Sequence, residues 1–260
     1  MMGDNGRMYH VRVRPGELGA YALVAGDPGR IPSLARHFCD PVEVTSHRGY
    51  VAYTGTLEGV RVGAVAHGIG GPSMAIVAEE LVRAGVHTII RLGTCGGLGP
   101  GVREGDLVIA SAAVRHEGLS QAYLPVEFPL LADEQVLRAL GHACREGGWP
   151  FHTGLVESKD SFYGEVHPDS MPVRSRLLER WAIMREVGVL GTEMECAALY
   201  AVAMVRHIRA GALLKVITVL GDHPGEGGAH EIGPAFSVDD LAAAGVEALR
   251  DLVRTDLATC

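Results

Sequence analysis

The stretch Val60-Arg61-Val62-Gly63-Ala64-Val65-Ala66-His67-Gly68-Ile69-Gly70-Gly71-Pro72-Ser73 decides the fold class. Val60–His67 is rich in small and β-branched apolar residues and reads as a strand. Gly68–Pro72 demands a tight turn, and proline suits the first turn of a helix. Ser73–Ala84 then carries apolar residues at helical spacing, with Gly85 as a C-terminal stop. Thr88–Leu92 follows as a buried strand and runs into a second glycine cluster, Gly93-Thr94-Cys95-Gly96-Gly97, read as a turn. Strand, glycine turn, helix and strand in succession predict an α/β domain with a substantially parallel sheet.

The same alternation extends outward in both directions. Tyr21–Ala25 is a short apolar strand that ends in the turn Gly26-Asp27-Pro28-Gly29, with a helix expected from about Ile31. Asp106–Ala110 and Ala212–Leu220 read as further strands. Helices are expected over Asp133–Glu146, Glu193–Val205 and Val238–Val253. No internal repeat, low-complexity tract or linker interrupts the pattern. With 260 residues, 47% of them hydrophobic, the expectation is one large domain over residues 1–260. Ligands of open α/β sheets bind beyond the carboxyl ends of the strands, and the glycine turns fall at those ends.

The formal net charge of -8 argues against nucleic acid as the main partner. It leaves room for a small anion, which needs only a local positive patch. No apolar run reaches membrane-span length; the segment Ala210–Leu220 is apolar but short, and Lys215 interrupts it. Met1–His10 lacks the apolar core of a signal peptide and is expected to be loose at its start. The five cysteines, Cys39, Cys95, Cys144, Cys196 and Cys260, are widely spaced with no CxxC pair. A reducing cytoplasm is the plain expectation, without disulfides or structural zinc.

Three clusters hold arginine beside turn or strand-end residues. Gly26-Asp27-Pro28-Gly29-Arg30 offers backbone N–H groups and a guanidinium. Arg91-Leu92-Gly93-Thr94 offers a guanidinium, more N–H groups and a hydroxyl. Ser46-His47-Arg48 adds a third arginine from a hairpin-like region. Arginine suits phosphate because its planar fork donates two hydrogen bonds and keeps its charge. Glycine lets the backbone approach oxyanions. Taken singly, each has a structural explanation: an ordinary turn, a strand-end residue, a surface charge. Neither the Walker pattern nor GxGxxG is present.

Thr192-Glu193-Met194-Glu195-Cys196-Ala197-Ala198 places two carboxylates two residues apart at the expected start of a helix. A ribose diol suits a carboxylate acceptor, and a carboxylate opposes the positive charge that develops on the sugar as a glycosidic bond breaks. Helix capping explains one glutamate equally well. Two of them in an apolar stretch need more, because charge is costly to bury.

Together these motifs make the chain resemble the hexameric nucleoside phosphorylase family, and within it the uridine phosphorylase branch. The resemblance spans nearly the whole chain: Gly-Asp-Pro-x-Arg, Ser-His-Arg, Gly-Ile-Gly-Gly-Pro-Ser, Arg-Leu-Gly-Thr and Glu-Met-Glu-x-Ala. Ala113–Gly118, Val126–Asp133 and Asp160-Ser161-Phe162-Tyr163 resemble the uridine branch rather than the purine branch. The implied fold is a three-layer α/β/α sandwich around a mixed, largely parallel sheet, in a homohexamer built as a trimer of dimers.

The resemblance also implies roles. Gly26, Arg30, Arg91 and Thr94 hold phosphate, and Arg48 reaches the phosphate of a neighbouring subunit's site. His10 crosses the same interface to the ribose 5′-hydroxyl. Glu193, Met194 and Glu195 line the ribose, with Glu195 on the 2′- and 3′-hydroxyls. Phe162 stacks on the base, with Cys95, Gly96, Ile217 and Thr218 around it. Arg30, Arg91, Glu195 and His167 carry the catalysis.

The sequence departs from the branch where it reads uracil. The family's Gly-Gln-x-Arg loop is here Gly164-Glu165-Val166-His167. Glutamine both accepts and donates, whereas ionised Glu165 only accepts. His167 is the local donor candidate but no permanent cation. The family's late Asn-Arg pair falls at Val219-Leu220, followed by Gly221-Asp222-His223. The purine branch's aspartate falls at Thr218, with Asp222 four residues later. Potassium in some relatives uses a glutamate after the Ser-His-Arg arginine; here that residue is Gly49, which removes a ligand.

The implied activity is that of a cytoplasmic pentosyltransferase. It cleaves a nucleoside with inorganic phosphate as co-substrate, and no cofactor is expected. Uridine is the implied substrate. A purine nucleoside such as inosine or guanosine is the alternative, since Glu165 offers an acceptor for the N1–H and amino group of guanine. A nucleosidase using water, or a nucleoside-binding module without turnover, are the remaining readings. The three arginines argue against the first, and the presence of both the phosphate and the ribose residues argues against the second.

Overall fold

Tyr21-Ala22-Leu23-Val24-Ala25 forms a strand with all five residues buried. Its side chains alternate between two cores, Ala22 and Val24 in one and Tyr21, Leu23 and Ala25 in the other. A strand covered on both faces is free to be apolar throughout, which is why it reads as an unbroken run.

The computed structural model describes residues 6–221 and 237–259. In chain order the elements are β1 (Tyr21–Ala25), α1 (Ile31–Ala35), β2 (Cys39–His47), β3 (Tyr50–Leu57), β4 (Val60–Ala66), α2 (Gly71–Arg83), β5 (Thr88–Gly97), β6 (Leu107–His116), α3 (Glu134–Glu146), β7 (Phe151–Lys159), α4 (Phe162–Val166), α5 (Arg174–Val187), β8 (Gly191–Glu193), α6 (Cys196–Arg206), β9 (Arg209–Val219) and α7 (Asp239–Thr259). Among the described residues the strands form one mixed sheet in the order β2-β3-β4-β1-β5-β8-β7-β6-β9. Strand β9 pairs with β5 as well as β6, so that half of the sheet closes on itself.

Helices cover both faces. Met74 and Leu81 of α2 share one core with Leu199 and Tyr200 of α6. Leu34 of α1, Leu140 of α3 and Leu249 of α7 share the other. This is the expected three-layer α/β/α arrangement. Each fully buried aliphatic side chain in it contributes roughly 1.5–3 kcal/mol. Helix ends follow local chemistry. Asp133 caps α3 by accepting from Gln135 N and Val136 N, and Gly85, just past α2, takes φ +102°. Among the described residues no helix is long and apolar enough to cross a membrane.

Two expectations need correction. Gly93–Gly97 is not a turn but the second half of β5, which pairs with β9 over its whole length and with β8 at Gly96 and Gly97. Its glycines admit close neighbours instead: a Cβ on Gly96 would lie 2.6 Å from Leu220. Glu193–Val205 is not helical from its start. Glu193 ends β8, and α6 begins at Cys196. The hairpin-like region Ser46-His47-Arg48 is the end of β2 and the start of its turn into β3, where Arg48 takes φ +52°. Strand β7 and helix α5 were not anticipated. Helix α5 buries only Trp181 and Met184, too few for a readable apolar stripe.

Candidate active site

The ends of several strands open into a cleft of about 1080 Å³. Its lining divides into a cationic end, an acidic floor and an aromatic end.

At the cationic end lie Gly26, Arg30, Arg48, Arg91 and Thr94. Gly26 follows β1, and the Asp27 carboxylate accepts from Gly29 N at 2.8 Å, which winds the turn tightly enough to bring Arg30 back. Burial pushes the Arg30 guanidinium below its usual range; Asp27 opposes the shift and the Arg91 charge adds to it. Arg91, in β5, is 4% exposed. Burial works against its charge, but Glu195 and then Glu193 outweigh that and raise its pKa. Its Nη2 donates to Glu195 and lies 3.3 Å from Glu193, while Nε and Nη1 have no partner among the described residues. Gly93 makes room for this guanidinium, since a Cβ there would meet Arg91 Nη1 at 2.1 Å. Behind Gly26 lies His67, which burial and then the Arg91 charge push down to about 3, so its ring is neutral.

The floor is Glu193, Met194 and Glu195. The two glutamates have different work. Glu193 accepts from Glu195 N at 2.8 Å and Cys196 N at 3.0 Å, and from the Ser158 hydroxyl. It is a helix-capping group as well as a wall of the cleft. Glu195 accepts from Gly70 N at 2.5 Å, at the head of α2, and from Arg91. Burial disfavours its charge, but the Arg91 cation outweighs burial and lowers its pKa.

At the aromatic end Cys95, Gly96, Phe162, Glu165, Ile217 and Thr218 line the cleft. Phe162 is 43% exposed and lines the cleft. Sequence reading missed Lys159, which ends β7 and also lines the cleft. Its Nζ donates to Glu165 and, at 2.7 Å, to Thr192 Oγ1, and lies 5.9 Å from the Phe162 ring centre. Glu157, two residues earlier, accepts from Thr192 Oγ1 and from His116 Nδ1, each at 2.7 Å. Burial opposes the Glu157 charge, but the bonds from His116 and its neighbours hold its carboxyl low. Burial pushes the Glu165 carboxyl up to about 8, with Lys159 opposing the shift and Glu157 reinforcing it. The available signal was the alternation Glu157-Ser158-Lys159: charges two apart in a strand share a face.

One predicted residue is not brought to the cleft. His167 caps α4 on the outside, exposed, with its ring stacked on Tyr163 at 6.4 Å, so it is not positioned as the donor to the base. His10 donates through Nδ1 to Glu80 at 2.8 Å; the role implied for it lies in a neighbouring subunit's site. Arg48, assigned by resemblance to a neighbouring subunit, lines the cleft of its own chain. Asp222 and His223 lie outside the described residues.

A model of the phosphorylase superfamily matches residues 20–255. The uridine phosphorylase of Treponema pallidum is 44% identical over 80% of this chain and 81% of its own length. That of Thermococcus kodakarensis is 40% identical over 82% of this chain and 78% of its own. The guanosine phosphorylase of Halorubrum lacusprofundi is 35% identical over 80% of this chain and 81% of its own.

Proposed function

This chain belongs to the phosphorylase superfamily, and on that premise we propose that it is a nucleoside phosphorylase, a pentosyltransferase whose substrate is uridine. One observation carries the reading: Arg30, Arg48 and Arg91 converge with Glu193 and Glu195 on a single cleft. The arginines hold phosphate against C1′ of the nucleoside. Glu195 takes the 2′- and 3′-hydroxyls, and Phe162 stacks on the base. As the glycosidic bond breaks, the sugar gains positive charge, which Glu195 and the phosphate dianion oppose. The products are ribose 1-phosphate and uracil.

The reading includes a cytoplasmic homohexamer acting in nucleoside salvage, an extrapolation from the family resemblance. Inorganic phosphate is the co-substrate. No resident metal is part of it, since Gly49 offers no carboxylate to potassium. A 6-oxopurine substrate is the second reading. Glu165 at the aromatic end favours it in its ionised form, as an acceptor for N1–H and an exocyclic amine, and one relative bears the name guanosine phosphorylase.

The test is base release from uridine, thymidine, inosine, guanosine and adenosine, with and without phosphate. Uridine turnover that requires phosphate is expected. Turnover without phosphate would make the protein a nucleosidase, and turnover of purines alone would overturn the base assignment.

A further inference from the structure

Cleavage of a uridine leaves an anion whose charge spreads over the ring nitrogen and both carbonyl oxygens. A donor at either oxygen stabilises that charge as it forms. Four cationic side chains line the cleft among the described residues: Arg30, Arg48, Arg91 and Lys159. Lys159 stands beside the Phe162 ring, and two of its three N–H groups are taken, by Glu165 and Thr192. We propose that Lys159 is a catalytic residue: its remaining N–H donates to a carbonyl oxygen of the departing pyrimidine, while Glu165 beside it accepts from the base N3–H. The inference rests on the reading of this cleft as one that phosphorolyses uridine.

Hydrogen-bond accounting supports the assignment. The single Thr192 hydroxyl hydrogen faces two acceptors, Glu157 Oε2 at 2.7 Å and Glu165 Oε2 at 3.1 Å. It goes to Glu157, the nearer; the two carboxyls also hydrogen-bond each other, which two ionised carboxylates cannot do, so together they hold a further proton. Glu157 is held ionised by His116 and Thr192, which leaves that proton to Glu165. A protonated carboxyl has one acceptor and one donor, like the amide of glutamine. It also leaves the Lys159 cation free of a full counter-charge on its cleft side, with Glu157 neutralising it from behind through Thr192.

The step balances without another reactant. A phosphate oxygen bonds to C1′ as the bond from C1′ to the base nitrogen breaks, and that electron pair leaves with the base. The proton the phosphate monoester sheds neutralises the base anion through solvent. Lys159 keeps its proton throughout.

The experiment compares K159M, K159R and the double variant K159M/E165Q with the unaltered protein on uridine and 5-fluorouridine. Fluorine makes the base a better leaving group that depends less on a donor. K159M is expected to lose about 100-fold in kcat/KM on uridine and distinctly less on 5-fluorouridine, with K159R recovering part of the loss. The double variant replaces both partners of the Lys159–Glu165 contact and keeps the test open should K159M fail to fold; it is expected to show the same raised preference for 5-fluorouridine. Equal losses on both substrates, or full retained activity, would overturn the assignment while leaving the phosphorylase reading intact. An unaltered protein that releases no uracil with phosphate would overturn that reading and this inference with it.

Discussion

Arg91 Nη2 donates to the Glu195 carboxylate in the buried floor of the cleft. The group assigned to phosphate and the group assigned to ribose thus neutralise one another. Removing one member of a buried pair strands the other, at a cost of about 3–5 kcal/mol. Arg91→Ala is therefore expected to abolish phosphorolysis and to lower the denaturation midpoint sharply. R91M/E195Q, which removes both charges, is expected to recover much of the stability and none of the activity. Full activity in R91A would remove Arg91 from the phosphate site.

Gly93 is the companion of that arginine. A methyl group there would lie 2.1 Å from Arg91 Nη1, so the guanidinium must move. The obstructed atoms end a flexible side chain, which lets the fold persist. Gly93→Ala is expected to reduce kcat/KM for phosphate by about 100-fold, the scale for a misplacement near 1 Å, with an unchanged circular dichroism spectrum. A normal KM for phosphate would show that Arg91 tolerates displacement.

The pH dependence turns on Glu165. It faces Lys159 and Glu157 of β7 and Thr192 of β8, with His116 of β6 behind Glu157. Its carboxyl titrates near 8. Below that pH it is neutral and Lys159 keeps its effect; above it, the new negative charge opposes the departing anion. Turnover is expected to fall as pH rises through about 8. In E165Q, which carries an amide that does not ionise, this alkaline limb should flatten. Persistence of the limb in E165Q would assign it to another group.

Ser158 supports the floor from below. Its hydroxyl donates to Glu193 and accepts from Ala197 N at 2.9 Å, fully buried. Ser158→Ala strands that N–H and releases one bond to Glu193, at a cost of about 1–3 kcal/mol. Thermal unfolding should show this loss, and KM for the nucleoside should rise more than KM for phosphate. Equal changes in both constants would mean a general loosening of the site.

Local signals were legible because they depend on neighbours in the chain. Tyr21–Ala25 is a strand in the sequence reading and in the structure, with the same limits. The alternation of strands and helices determined an α/β class, since periods of 2 and 3.6 survive in any short window. Glycine and arginine at strand ends likewise pointed to one part of the fold. Tertiary structure decided what those residues meet. Gly93–Gly97 became strand because β9, more than a hundred residues later, closes against β5. Glu193 and Glu195, alike in sequence, parted into a helix cap and an arginine partner. His167 was the nearest donor along the chain, yet its place as a cap turns it outward. Lys159 takes its position from Thr192 and Glu165, brought to it by β8 and α4. Such contacts depend on strand register and layer packing, which no local pattern of residues encodes.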